Sequence, residues 1–150
     1  MAKTVELKTT VEDFIRLGLK KSYPGHSFKE KALPLGKKKD GTFAVHKFDA
    51  VSEDNSIVAS IKSHSWLTSG GNLPSGKIGQ IYQSLYYLSL VDAKIKLLIL
   101  TNIKAYEGFL KLCDGKIAED IEIRLFQLPP KLQLIVSKVQ QTASEEMALE

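Results

Sequence analysis

Lys96-Leu97-Leu98-Ile99-Leu100-Thr101 is the segment that most narrows what this chain can become. Four consecutive aliphatic residues leave no polar face, so a strand made of them must be covered on both sides. That arrangement belongs to parallel pairing beneath helices. The run is also far shorter than the roughly 20 residues needed to cross a bilayer, so no membrane span is expected.

The flanking patterns supply the rest of a layered α/β unit. Thr9 and Glu12 have capping-box spacing and Val11, Phe14, Ile15, Gly18 and Leu19 follow at helical intervals, which predicts a first helix over about residues 10–21. Tyr23-Pro24-Gly25 ends it. Residues 27–35 and 42–51 roughly alternate polar and apolar around Gly36-Lys37-Lys38-Lys39-Asp40-Gly41, which reads as strand, basic turn, strand. After the polar tip Ser52-Glu53-Asp54-Asn55, the β-branched stretch 57–62 predicts a third strand paired with the second. A helix with Ile78, Ile81, Tyr82, Leu85 and Leu88 on one face is predicted to end near Asp92. Beyond the apolar strand come a helix around 105–113, a strand over 121–126, and a last helix begun by Pro129-Pro130 that carries Leu132, Ile135, Val136 and Val139. The expected order is α-β-β-β-α-β-α-β-α, a mixed sheet flanked by helices in one domain over residues 1–150.

Composition fits an intracellular globule. The 150 residues are 43% hydrophobic and 25% charged, close to the globular average. Cys113 is the single cysteine and the N-terminus leads into no apolar stretch, so neither a disulfide framework nor a secretory leader is expected, and the cytoplasm is. Net charge is +4, which suits contact with an anionic polymer without demanding it.

Chemistry is suggested by one constellation. Asp49 lies near the end of the second strand, and Ser60-Ile61-Lys62 ends the third. Across a hairpin turning at Glu53-Asp54-Asn55, Asp49, Ser60 and Lys62 are expected to face the same side. Glu12 lies on the first helix. Gln83 and Tyr87 are four apart on the second, and Gln80 shares their face.

A helix bearing glutamate, then aspartate on one strand, then an x-x-Lys ending on the next, then a helix with Gln83-Ser84-Leu85-Tyr86-Tyr87, resembles the PD-(D/E)xK nuclease superfamily over roughly residues 10–102. The resemblance implies a restriction-endonuclease-like fold, DNA as partner and Mg²⁺ as cofactor. It implies Asp49 and Glu12 as metal ligands, Lys62 to position the attacking water and Gln83 to orient the site. Oxygen ligands suit a hard cation, and a lysine offsets charge on the reacting phosphate. Ser60 departs from the pattern, standing where a second carboxylate belongs, and Phe48 stands at the place of the proline. Either Glu12, Glu53 or Asp54 supplies the missing charge, or Ser60 is itself a substituted position, or the scaffold persists without the reaction. Read without the resemblance, Asp49 and Lys62 make a cross-strand ion pair, and Gln83 and Tyr87 the polar flank of an amphipathic helix.

A competing signal is Gly71-Asn72-Leu73-Pro74-Ser75-Gly76-Lys77, which matches part of a phosphate-binding loop and carries a minor nucleotide-binding alternative. Ile78 follows where a metal-holding Ser or Thr is required, and Thr101-Asn102 supplies no acid after the apolar strand. Lys77 at a helix start and His64 after Lys62 are retained as phosphate contacts, with Gln80 and Tyr87 beside them. Lys37-Lys38-Lys39 could grip a phosphate backbone, but a hairpin tip of lysines is read here as solvated. His26, His46 and His64 lack metal-ligand spacing.

The reading is a DNA-directed protein of nuclease type, a metal-dependent deoxyribonuclease or a descendant that only binds. A non-catalytic DNA- or protein-interaction module on the same scaffold is the rival. So short a chain leaves little room for a separate specificity domain, so a homodimer or larger complex is expected.

Overall fold

The computed structural model describes residues 2–63 and 75–134, with side chains from residue 10 onward. The elements are α1 (Ala2–Ser22), β1 (Phe28–Lys37), β2 (Phe43–Ser52), β3 (Ile57–Lys62), α2 (Ser75–Leu90), β4 (Ile95–Leu100), α3 (Ile103–Leu112) and β5 (Ile121–Leu125). Residues 130–134 are again helical. His64, most of the glycine-rich segment before Ser75, and Ile135, Val136 and Val139 lie outside the described residues.

The five strands form one sheet in sequence order, β1-β2-β3-β4-β5. β1, β2 and β3 pair antiparallel; β3, β4 and β5 pair parallel. A three-stranded meander therefore continues into two crossover units, with helices on both faces. Leu97 and Ile99 pack with Val11, Ile15 and Leu19 of α1, while Leu98 and Leu100 pack with Ile81, Leu85 and Leu88 of α2 and Ala105 and Phe109 of α3. The double coverage expected of the apolar strand is what the chain adopts.

α1 begins eight residues earlier than the capping-box reading placed it. Ala2 to Lys8 contains no glycine or proline, and once a nucleus exists nothing stops a helix from propagating through such residues. The remaining boundaries differ from expectation by no more than one or two residues, apart from the start of α2, where the described residues resume.

Two local features fix the sheet. At the β2–β3 turn, Asn55 takes φ 63°, a left-handed conformation that asparagine tolerates, and its side chain accepts a hydrogen bond from Lys31 Nζ at 2.7 Å. Asp54 Oδ1 accepts from the Ser56 hydroxyl (2.6 Å), the Ser56 amide (3.1 Å) and the Ser52 hydroxyl (2.8 Å). In β4, Lys96 is buried among apolar neighbours, with its Nζ 3.0 Å from Asp120 Oδ2. That pairing holds the Asp120 carboxyl below its usual range.

Gly18 marks the closest approach of α1 to the chain after β5. A Cβ there would lie 2.7 Å from Phe126 Cε1. Gly18→Leu is therefore expected to cost about 1–3 kcal/mol through overpacking, measured as a lowered urea midpoint with unchanged slope. The three bonds on Asp54, those from Ser56 first, hold its carboxyl well below the ordinary carboxylate range. The unfolded chain then takes up a proton near pH 4 that the folded chain refuses, so the group stabilises above that pH and its contribution drains away as acid is added. Asp54→Ala should flatten the acid limb of a stability-versus-pH curve; an unchanged limb contradicts the assignment.

Candidate functional site

The site arises from one extra residue. Between Lys29 and Lys31 on β1 the chain advances two positions, while the partners on β2 run from Val51 to Phe48, three positions. Asp49 and Ala50 thus share the space opposite Glu30, which is a β-bulge. Phe48 still packs beneath α2 and Ala50 beneath α1. Asp49 is turned toward α1 instead of continuing the alternation.

On the other side of β2 the ladder to β3 holds Ala50↔Ala59 and Val51↔Val58. Beyond those pairs β2 leaves β3, and the Ile61 amide donates to Asp49 Oδ2 at 2.7 Å where a backbone carbonyl would otherwise serve. One carboxylate thereby seals the split between two strands.

Three acids meet at this split. Carboxylate oxygens of Glu12 (α1), Glu30 (β1) and Asp49 (β2) all lie within 4.8 Å of one another. Glu12 is buried at 6% exposure, so its charge needs company. Arg16, one turn further along α1, provides part of it. Its Nη2 lies 3.1 Å from Glu12 Oε2 and 3.9 Å from Glu30 Oε2. Its Nη1 donates to Asp13 at 2.8 Å, and its Nε to the Asp49 carbonyl oxygen at 2.9 Å. Lys47 pairs with Glu30 at 2.7 Å. An open groove of about 370 Å³, lined by Asp13, Arg16, Leu17, Lys20, Ser27 and Phe28, lies alongside.

The opposite face carries a second group. Val58 packs beneath α2, whereas Ala59 and Ile61 pack beneath α1, so strand alternation assigns Ser60 and Lys62 to the α2 face. This differs from the expectation that Asp49, Ser60 and Lys62 share one side. That expectation assumed an unbroken two-residue period in β2, and the bulge breaks it. On the α2 face the His46 ring stacks on Tyr87, with centroids 4.1 Å apart, and meets Phe48 edge-on at 4.8 Å. Gln83 Nε2 donates to the Tyr87 hydroxyl at 3.4 Å. Burial lowers the His46 pKa, the charge of Asp49 opposes that shift and the charge of Lys62 adds to it. The imidazole is therefore neutral at pH 7 and lies within the fields of both residues.

Of the sequence-predicted residues, Glu12 and Asp49 are brought together, as are Gln83 and Tyr87. Gln80 is exposed on α2, and Lys77 is half-buried in its first turn. Glu53 and Asp54, weighed as substitutes for the acid missing at Ser60, sit instead in the turn at the far end of β3. There Glu53 pairs with His26 at 3.1 Å and accepts from the Ser27 amide at 3.0 Å. Glu30, Arg16 and His46 were not legible as site residues. Glu30 and Arg16 sit at ordinary strand and helix positions, and His46 was weighed only for metal spacing.

Oxygen-only donors at these separations suit a hard divalent cation, whose ligands at 2.0–2.6 Å stand roughly 3–5 Å apart from one another. Comparison with family models, with curated proteins and with solved structures finds no match to this chain.

Asp49→Ala removes the acceptor of the Ile61 amide, and an unsatisfied buried donor costs about 1–3 kcal/mol. The expected outcome is that loss, with faster hydrogen exchange at Ile61. Asp49→Asn, which keeps an acceptor, should show a smaller effect on both.

Proposed function

We propose that the chain is a DNA-directed protein on a restriction-endonuclease-like scaffold whose Glu12, Glu30 and Asp49 carboxylates hold a divalent cation such as Mg²⁺. The observation that carries this reading is the meeting of three acids from three elements at the split between β2 and β3. Glu12 and Asp49 are the two ligands that the resemblance to the PD-(D/E)xK superfamily implies, and Glu30 supplies the charge that Ser60 lacks. The bound cation would polarise a phosphodiester and offset the charge that builds as water adds to phosphorus and the P–O ester bond breaks. Lys62, which alternation places on the α2 face, would have to reach that water across the split between β2 and β3, Gln83 and Tyr87 would hold the α2 side of the site, and Lys77, Gln80 and His64 would contact phosphates. Arg16 keeps the carboxylates together when no cation is bound.

A second reading, a module that binds DNA or a protein partner without cutting, is favoured by a specific observation. Ser60 is not a carboxylate, and alternation in β3 turns Lys62 toward α2 while the acids gather beneath α1. The two readings part over the reaction, and the second also admits a protein partner in place of DNA.

Millimolar Mg²⁺ or Mn²⁺ should raise the Tm of the wild-type protein and leave Glu12→Gln and Glu30→Gln unmoved. No shift in the wild type would remove the cation from the proposal. Supercoiled plasmid incubated with the metal distinguishes the two readings. Nicking that Lys62→Ala abolishes and Ser60→Glu enhances marks a nuclease. Salt-dependent retention of DNA without nicking marks the module.

A further inference from the structure

Beyond the bulge, β1 and β2 run on together as a two-stranded arm. Pairing continues from Lys31↔Phe48 through Pro34↔Val45 to Lys37↔Phe43, while among the described residues the β2–β3 ladder stops at Ala50↔Ala59. Six residues at about 3.3 Å each carry the tip roughly 20 Å from the carboxylates. Among the described residues the arm is braced on one face only. Leu33, Leu35 and Phe48 pack into the α2 cluster and His46 stacks on Tyr87, whereas Phe43 and Val45 are 58% and 64% exposed.

Charge concentrates on this arm. Residues 28–48 hold six lysines (Lys29, Lys31, Lys37, Lys38, Lys39 and Lys47) against Glu30 and Asp40, a net charge of +4. That equals the formal net charge of all 150 residues, so the remainder of the chain is balanced. Lys31 and Lys47 are engaged with Asn55 and Glu30, and Lys37, Lys38 and Lys39 stand exposed at the tip. Asp40 stays ionised beside them, its carboxylate accepting from the Thr42 hydroxyl and amide at 2.6 and 3.0 Å, so residues 37–40 carry a net charge of +2.

A second copy pairing along β1 is a poor occupant. That edge carries Pro34, a register irregularity at Pro34/Gly36, and lysines at 29, 31 and 37, the features by which sheet edges resist strand addition. The chemistry that complements an exposed triple-lysine tip on a rigid ribbon is a repeating line of phosphates, and B-DNA admits a two-stranded ribbon in its major groove.

We infer that the β1–β2 arm is a DNA-tracking arm. Lys37, Lys38 and Lys39 grip the phosphate backbone of duplex DNA about six base pairs from the carboxylate site, so that the arm sets which phosphate reaches the acids. This rests on the DNA reading above and replaces the view of the three lysines as a merely solvated turn.

The test is the salt dependence of binding to a short fluorescent duplex, measured by anisotropy on the full chain. The variant Lys37→Gln/Lys38→Gln/Lys39→Gln is compared with a control that removes the same charge elsewhere, Lys104→Gln/Lys111→Gln/Lys116→Gln. The substituted residues are exposed, and unchanged Tm values verify the fold. The arm variant should lower the log–log salt slope by about 2–3 and weaken binding at low salt by at least about tenfold, with the control near wild type. If both variants lower the slope equally, net charge and not the arm is responsible, and the inference fails while DNA binding stands. If the wild type binds no duplex, or polyglutamate competes as well as DNA at equal charge, the DNA reading fails and takes the arm with it.

Discussion

One inserted residue in β2 governs how this molecule is built around its acids. Without the bulge opposite Glu30, Asp49 would follow the alternation of its strand and a backbone pair would close the seam with β3. With it, Asp49 faces α1 and its side chain replaces a ladder bond at the Ile61 amide. The β2–β3 pairing ends there, and the β1–β2 arm is released from the sheet. The separation of a packed body from a charged projection follows from that single irregularity.

The cluster is held at the balance between burial and charge. Three carboxylates around a half-enclosed point repel one another, and Glu12 has little water with which to share its charge. Arg16 answers with a guanidinium that touches Glu12, Asp13 and the Asp49 carbonyl at once. A planar fork with five donors can do this where a lysine could not. Arg16 and Lys47 together bring two positive charges to the three carboxylates.

The legible parts of the fold were those whose signals are local. The apolar run 96–101 announced a covered strand, the 3.6-residue spacing of Ile78, Ile81, Leu85 and Leu88 announced α2, and Ile57 to Lys62 was read with its observed bounds. The early start of α1 was missed because Thr9 and Glu12 carry a cap pattern that an uninterrupted helix has no use for. Asp49 could be picked out from its place across a hairpin from Ser60 and Lys62, and Glu12 only as the first-helix glutamate that the resemblance implies. The bulge could not be, since it is a property of two strands in register and neither strand shows it alone. Glu30 became a member of the site through that register, and His46 through a stacking partner on a distant helix.

Lys96 has a consequence beyond its ion pair with Asp120. The hexapeptide Ile95 to Leu100 is the most strand-prone and apolar stretch of the chain, and such a segment, if exposed during folding, can associate with copies of itself. A cation at its second position is tolerated in the native core because Asp120 meets it there. In the unfolded chain the same charge has no such partner and repels its counterparts on other molecules. The lysine thus guards the segment against aggregation before the fold has formed.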